Sequence, residues 1–231
     1  MLENILLQIT TTGTEVAAQV AENTAKMNIF SLAAKGGWIM IVLAILSIVA
    51  VYIFVERFMA LKKALQEDKS FMDNVKNYIH RGDLKGARSI TESNDSPIGR
   101  MISKGLSRLG RPLNDINQAV ENVGKLEVAR LESGVSMVGT IAAIAPSLGF
   151  LGTVTGMVKA FFDMSTAGNN IDIQLLSGGI YEAMVTTVGG LIVGIIANFL
   201  YSILVGQINK VVFMLEARTM EFMDLLHEPA Q

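Results

Sequence analysis

The polar residues with the clearest chemical potential lie at the edge of a long apolar run. Glu182 directly precedes residues 183–209, which carry no charged side chain, and Thr186 and Thr187 lie just inside that run. A hydroxyl group both donates and accepts hydrogen bonds, so neighbouring hydroxyls can pass a proton or a hydrated ion along without trapping it. If the run crosses a membrane, these residues are candidates for an ion pathway, because an ionisable residue in such a place is a functional candidate by default.

Helical periodicity extends this polar stripe. Thr187 and Asn198 are eleven positions apart, which places them within about 20° of each other around an α-helix, and Gly190 and Gly194 lie between them. An earlier apolar run carries a single hydroxyl, Thr153, on one of its sides. That side also contains Ala142, Pro146, Gly149, Gly156 and Ala160. A threonine in a membrane helix often bonds only to its own backbone, so helix packing is the competing interpretation of each threonine.

The overall composition excludes several classes of function. The chain has 231 residues, of which 51% are hydrophobic, and its mean hydropathy is +0.44. A net charge of −2 argues against nucleic-acid binding. The absence of cysteine excludes disulfides and thiolate metal sites, and His80 and His227 lack metal-ligand spacing. With no nucleophile–base pair, phosphate loop or metal cluster, we expect neither an enzyme nor a cofactor.

Three apolar stretches are long enough to cross a bilayer and would position these residues. Basic residues follow the first and third stretches and precede the second, whereas residues 161–182 contain no lysine or arginine. The positive-inside rule then places the N-terminus outside and the C-terminus in the cytoplasm. The predicted order is an outer N-terminal segment with an amphipathic stretch (1–37), a first span (38–55), a cytoplasmic helical region (56–133), a second span (134–160), an outer loop (161–182), a third span (183–208) and a cytoplasmic C-terminal helix (209–231).

Small residues on the second and third spans predict close helix packing. Gly152 and Gly156 form a small-xxx-small pair, as do Gly190 and Gly194, and such pairs let helix backbones approach closely in lipid. Three spans offer few partners for two such faces, so we expect the chain to oligomerise. The expected fold class is an all-α integral membrane protein with long cytoplasmic extensions of helices two and three.

Two segments resemble the paired signatures of the MotA/TolQ/ExbB proton channel family. They are APSLGFLGTVTGM at 145–157 and GGIYEAMVTTVGGL at 178–191. Their specific parts are Pro146, the GxLGTVxG core around Thr153, and Glu182 followed five residues later by Thr187. The three-span layout with a long cytoplasmic insertion is similar to the ExbB and TolQ branches, and the long N-terminal segment favours ExbB.

The resemblance implies a pentameric ring in the bacterial inner membrane, with a periplasmic N-terminus and with spans two and three lining a lumen. It implies two copies of a single-span partner like ExbD or TolR inside that lumen, whose membrane aspartate carries H⁺, and a TonB- or TolA-like protein that receives the work. Thr153 and Thr187 would be lumenal hydroxyls that face the aspartate. Glu182 would lie near the outer entrance. Thr186 and Asn198 are the other candidate pore-lining residues, on the basis of their positions along the third span and not of the resemblance.

Two departures from the family pattern leave alternatives open. Ile196 stands where the family commonly has proline, which puts a kink in the third span in doubt. Thr186 stands where several proton-driven members have alanine, and an extra hydroxyl could favour Na⁺, because a desolvated metal ion needs more oxygen ligands than a proton. The alternatives to an ExbB-like energiser are a TolQ-like or other stator role and a non-conducting membrane scaffold.

Overall fold

The described part of the chain is entirely helical between its connecting turns. The computed structural model describes residues 36–66, 70–166 and 173–227, and no strand occurs within these ranges. The predicted amphipathic stretch before the first span lies outside them. The helices are α1 (Gly37–Leu65), α2 (Ser70–His80), α3 (Leu84–Ser93), α4 (Pro97–Leu106), α5 (Leu113–Glu132), α6 (Val135–Thr166) and α7 (Ile173–His227).

Three of these helices are long and apolar enough to cross a membrane. They are α1, α6 and the part of α7 from Leu176 to His227, and their most apolar windows have mean hydropathies of 2.9, 1.7 and 2.2. The prediction of an all-helical chain with three candidate spans is therefore confirmed. Because α7 runs unbroken through Ile196, the absence of proline at that position agrees with an uninterrupted third span.

The helix ends on both sides of segment 161–182 differ from the predicted boundaries. The segment 161–182 was expected to be a loop, but α6 continues to Thr166 and α7 already begins at Ile173. Hydropathy marks where a helix leaves the bilayer, whereas the helix itself continues until its backbone hydrogen bonds are interrupted. No proline occurs in either extension, so both remain helical beyond the apolar runs.

The expected cytoplasmic extension of helix two is interrupted, whereas that of helix three is continuous. A separate helix, α5, ends at Glu132, and α6 begins only at Val135. Ser133 has ψ 127° and Gly134 has φ +83°. The left-handed region is open to glycine and costly for most other residues, so Gly134 terminates one helix and allows the next to begin. In contrast, α7 is a single helix of 55 residues.

The chain divides into two compact units. The first contains residues up to Leu46 together with Ile144–Gly194, and the second contains Ser47–Ala143 together with residues from Ile195 onward. In the second unit, α2 to α5 pack with the C-terminal parts of α1 and α7 around a continuous apolar core. Phe222 and Val120 are fully buried there, and a Cβ atom on Gly105 would lie 2.5 Å from the Phe222 ring and 2.9 Å from Val120.

A buried carboxylate fixes α4 against α5 in the second unit. Glu127 is 3% exposed and accepts hydrogen bonds from Arg100 (Nη2–Oε2 2.6 Å) and from Arg130 (Nη1–Oε1 2.7 Å). The hydrogen bond that Arg100 donates to Glu127 raises the pKa of the Arg100 guanidinium. Burial lowers this pKa, but the net shift is upward. Because folding raises the pKa of Arg100, its contribution to stability is fully present at every pH below the pKa of arginine in the unfolded chain. Arg100 therefore contributes no pH dependence to stability near neutrality.

Candidate ion pathway

In the first unit, α6 and α7 lie in backbone contact along a ladder of small residues. If a Cβ atom were added at Gly190, it would lie 2.8 Å from the Cα of Gly149 and 2.6 Å from the carbonyl oxygen of Ala145. The two helices run antiparallel here, because residue numbers rise along one as they fall along the other. The four layers pair Gly149 with Gly190, Gly152 with Thr186, Gly156 with Ala183, and Ala160 with Gly179.

This ladder bears on the prediction that the chain oligomerises. The small faces of the second and third spans were expected to need partners from other copies, but the ladder fills them within one chain. Gly194 is also buried, and Pro146 lies inside α6 without ending it. Small residues permit close helix packing in lipid whether the second helix belongs to the same chain or to another copy. The glycine pairs therefore no longer argue for oligomerisation.

The two adjacent threonines have different environments. The hydroxyl of Thr187 donates a hydrogen bond across the interface to the carbonyl oxygen of Gly149, at 3.0 Å. The hydroxyl of Thr186 donates within its own helix to the carbonyl oxygen of Ala183, at 2.7 Å. Thr186 is only 2% exposed and packs against Gly152. Neighbouring residues point about 100° apart around a helix, so Thr186 faces α6 within this chain while Thr187 is half-buried, and a place for Thr186 on an ion pathway stays a prediction.

The remaining hydroxyl of the predicted set, Thr153, is half-buried on α6. It donates to the carbonyl oxygen of Phe150 at 2.6 Å. Like Thr187, it uses its one proton on a backbone carbonyl and keeps lone pairs that can accept a hydrogen bond. Asn198 has an exposed side chain and belongs to the second unit, and its place on an ion pathway stays a prediction.

Glu182 lies against the beginning of the first span. A Cβ atom on Gly37 would lie 2.5 Å from Oε1 of Glu182, and Gly37 has φ +64° at the first residue of α1. A helix N-terminus carries partial positive charge and unpaired N–H groups, which favour a carboxylate at that place. Gly37 was not among the site residues predicted from the sequence. The available signal was the glycine pair directly before Trp38, where an apolar span begins.

We predict that Gly37→Ala will reproduce the effect of Glu182→Ala on ion flux. Alanine would have to adopt the left-handed backbone of Gly37, which is costly for a residue with a side chain. Its methyl group would also displace the Glu182 carboxylate from the start of α1. Ion flux across vesicles that contain each variant, compared at equal protein level in the membrane, measures this effect. Gly36→Ala is the matched control, since Gly36 does not have a left-handed backbone and its added methyl carbon would lie 3.2 Å from the Cβ of Met40, away from Glu182. Equal loss in both variants would contradict the role of Gly37.

Three helices that could cross a membrane, two of them in backbone contact, indicate a helical membrane protein. The profile of the MotA/TolQ/ExbB proton channel family matches residues 93–217. This match covers more than half of the chain, and the chain belongs to that family.

Individual relatives agree with this assignment. An ExbB-like biopolymer transport protein of Synechocystis is 34% identical over 175 residues, covering 74% of this chain and 68% of that protein. The Tol-Pal system protein TolQ of Haemophilus influenzae is 28% identical over 224 residues, covering 90% of this chain and 97% of that protein. The biopolymer transport protein ExbB of Xanthomonas campestris is 32% identical over 87 residues, which are 38% of this chain and 34% of that protein. The resemblance inferred from the two signature segments is thereby confirmed.

Proposed function

We propose that the chain is the ring-forming subunit of an ion-driven energiser in the bacterial inner membrane. With an ExbD-like single-span partner in the lumen of a homopentamer, it uses the proton-motive force to energise TonB-dependent outer-membrane transport. The observation that carries this proposal is the arrangement of Thr153 and Thr187, whose hydroxyls both donate to backbone carbonyls and so present oxygen lone pairs to a neighbouring group.

This hydroxyl arrangement suits a carboxyl group that changes its protonation state. An acceptor oxygen can bind the O–H of a protonated carboxylic acid, which stabilises the neutral form of that acid beside an apolar wall. No carboxylate or histidine of this chain lies deep in the apolar parts of its spans. In the proposal, therefore, a partner aspartate supplies the titrating group, and the threonines bind its protonated form as it passes.

The same geometry favours H⁺ over Na⁺ in the proposal. The sodium alternative depended on a third hydroxyl at Thr186, but that hydroxyl is buried and bonded to Ala183. A desolvated metal ion needs several oxygen ligands, and two hydroxyls are few. We therefore propose H⁺ as the transported ion.

A TolQ-like role is the second candidate function. The TolQ of Haemophilus influenzae aligns with nearly the whole of this chain and is itself covered to 97%, whereas the ExbB-like relative has the higher identity over a shorter region. In a TolQ-like role, the single-span partner would be TolR-like and the receiving protein TolA-like. Complementation of strains that lack one or the other system separates the two candidates.

The proposed assembly is tested by the native mass of the complex, purified in a mild detergent with its bound partners. We expect five copies of the 24.9 kDa chain and two copies of a small single-span chain with one aspartate in its span. A chain that remains a monomer or dimer in several detergents and in nanodiscs would remove the lumen and the proposal with it. A pentamer without any small partner, prepared from cells that express the partner, would support a scaffold.

A further inference from the structure

Helix α5 presents three different faces, and only one of them is covered by the core of the second unit. Its buried residues are Ile116, Val120, Gly124 and Glu127, which recur at helical spacing. On one side of this core face, α5 and the last turns of α7 form a groove. On the other side, α5 and α4 form a second groove. The two uncovered faces have opposite charge.

The first groove, here called the acidic flank, has a volume of about 830 Å³ between α5 and α7. Its rim carries Glu121, Glu216 and Asp224 against the single cation Lys125, so its net charge is negative. Within the described residues, Glu216 and Asp224 form no ion pair. The apolar side chains that line it include several methionines, among them Met220, which is 63% exposed. Methionine side chains adapt readily to an incoming apolar group.

The second groove, here called the basic flank, has a volume of about 420 Å³ between α4 and α5. Lys104 and Arg108 outnumber its one acidic residue, Asp115, so its net charge is positive. Neither cation is ion-paired within the described residues. Beside them Leu126 is 61% exposed, which makes it an apolar projection next to two free cations.

We propose that the basic flank of one copy docks into the acidic flank of a second copy of this chain, with Leu126 entering the methionine-lined groove. The charges are complementary, and both flanks expose apolar surface that a soluble helix would normally cover. Because the flanks are different surfaces on different sides of α5, the contact is head-to-tail. Such a contact repeats from copy to copy and produces a ring when its rotation closes.

This inference deepens the proposed homopentamer and rests on it, since it names the surfaces through which neighbouring copies meet outside the spans. It differs from the small-residue ladder, which joins helices of a single chain. It also predicts a polarity: each copy contributes its acidic flank to one neighbour and its basic flank to the other. A two-fold contact would instead bring identical surfaces together.

Cross-linking in the intact membrane complex tests this polarity, because the natural chain contains no cysteine. Leu126→Cys and Met220→Cys are expected to give no disulfide-linked dimer when expressed singly. Co-expression of the two single variants should give dimers, and the double variant should give a ladder of multimers. A dimer from either single variant would indicate a two-fold contact and overturn the proposal. The absence of intermolecular cross-links in an intact ring would also overturn it, while the proposed function would stand.

Charge reversal supplies the second arm of the test. Arg108→Glu should lower the yield of cross-linked dimer about tenfold or more, because it places like charges across the contact, and Glu216→Arg in the same chain should restore it. Lys85→Glu reverses an exposed cation outside both flanks and should leave the yield unchanged. If Met220→Cys instead cross-links to a co-purified partner chain, the groove binds that partner and not a second copy. If wild-type protein forms no ring at all, the proposed function itself fails.

Discussion

Gly190→Ala is expected to separate the second and third spans and to lower the free energy of unfolding by about 1–3 kcal/mol, the usual cost of overpacking. The new methyl carbon would lie 2.6 Å from the Ala145 carbonyl oxygen and 2.8 Å from the Gly149 Cα. Both neighbours are backbone atoms, so no flexible side chain can move aside and the helices themselves must separate. The melting temperature of the complex in mild detergent and its level in the membrane measure the loss.

The matched control for this substitution is Gly178→Ala on the same helix. No atom lies within 4 Å of the methyl carbon that this change would add. Because alanine favours the helix over glycine by about 1 kcal/mol, we expect Gly178→Ala to be neutral or stabilising. If both variants melted at the wild-type temperature, the backbone contact between α6 and α7 would not exist in the membrane.

The ladder shows which part of the site could be predicted from the sequence. Glycines spaced by four residues indicate a face that permits close approach, and Gly152 and Gly156 lie in such a face. The identity of the opposing face is a tertiary property, because another span of the same chain and a span of a second copy present the same chemistry. The sequence therefore predicted a close contact but pointed to other copies of the chain as its partner, whereas the structure places a partner for the α6 face on α7 of the same chain.

Helix ends were less predictable than spans for a related reason. Hydropathy averages over many residues and defines the apolar length of α1 and α6, but one residue can end a helix. Gly134 does so by adopting φ +83°, and Gly37 begins one at φ +64°. Glycine occurs 21 times in this chain, and most of its glycines described in α6 and α7 serve packing. Only the backbone conformation distinguishes the few that serve as breaks.

Exchange of single hydroxyls for methyl groups is expected to separate Thr187 from Thr186. We predict that Thr187→Val will abolish energised transport, whereas Thr186→Val will retain it. Thr187 contacts the opposing helix through Gly149 and keeps acceptor lone pairs, but Thr186 is sealed inside the interface and bonds only to Ala183. Both changes preserve side-chain shape, so the comparison isolates the oxygen atom.

A packing role for Thr187 predicts a different result, because loss of one interhelical hydrogen bond in a membrane costs only about 0.6–1.7 kcal/mol. A scaffold would tolerate that loss if the ring remained assembled. The decisive measurement is therefore proton flux through reconstituted complexes, compared at equal ring content, with Thr187→Ser as the variant that retains the hydroxyl. Normal flux in Thr187→Val would assign Thr187 to packing alone. Loss of flux in an intact ring, with recovery in Thr187→Ser, would place the Thr187 hydroxyl on the ion pathway. The methyl group that valine carries in its place is of nearly the same size but forms no hydrogen bond.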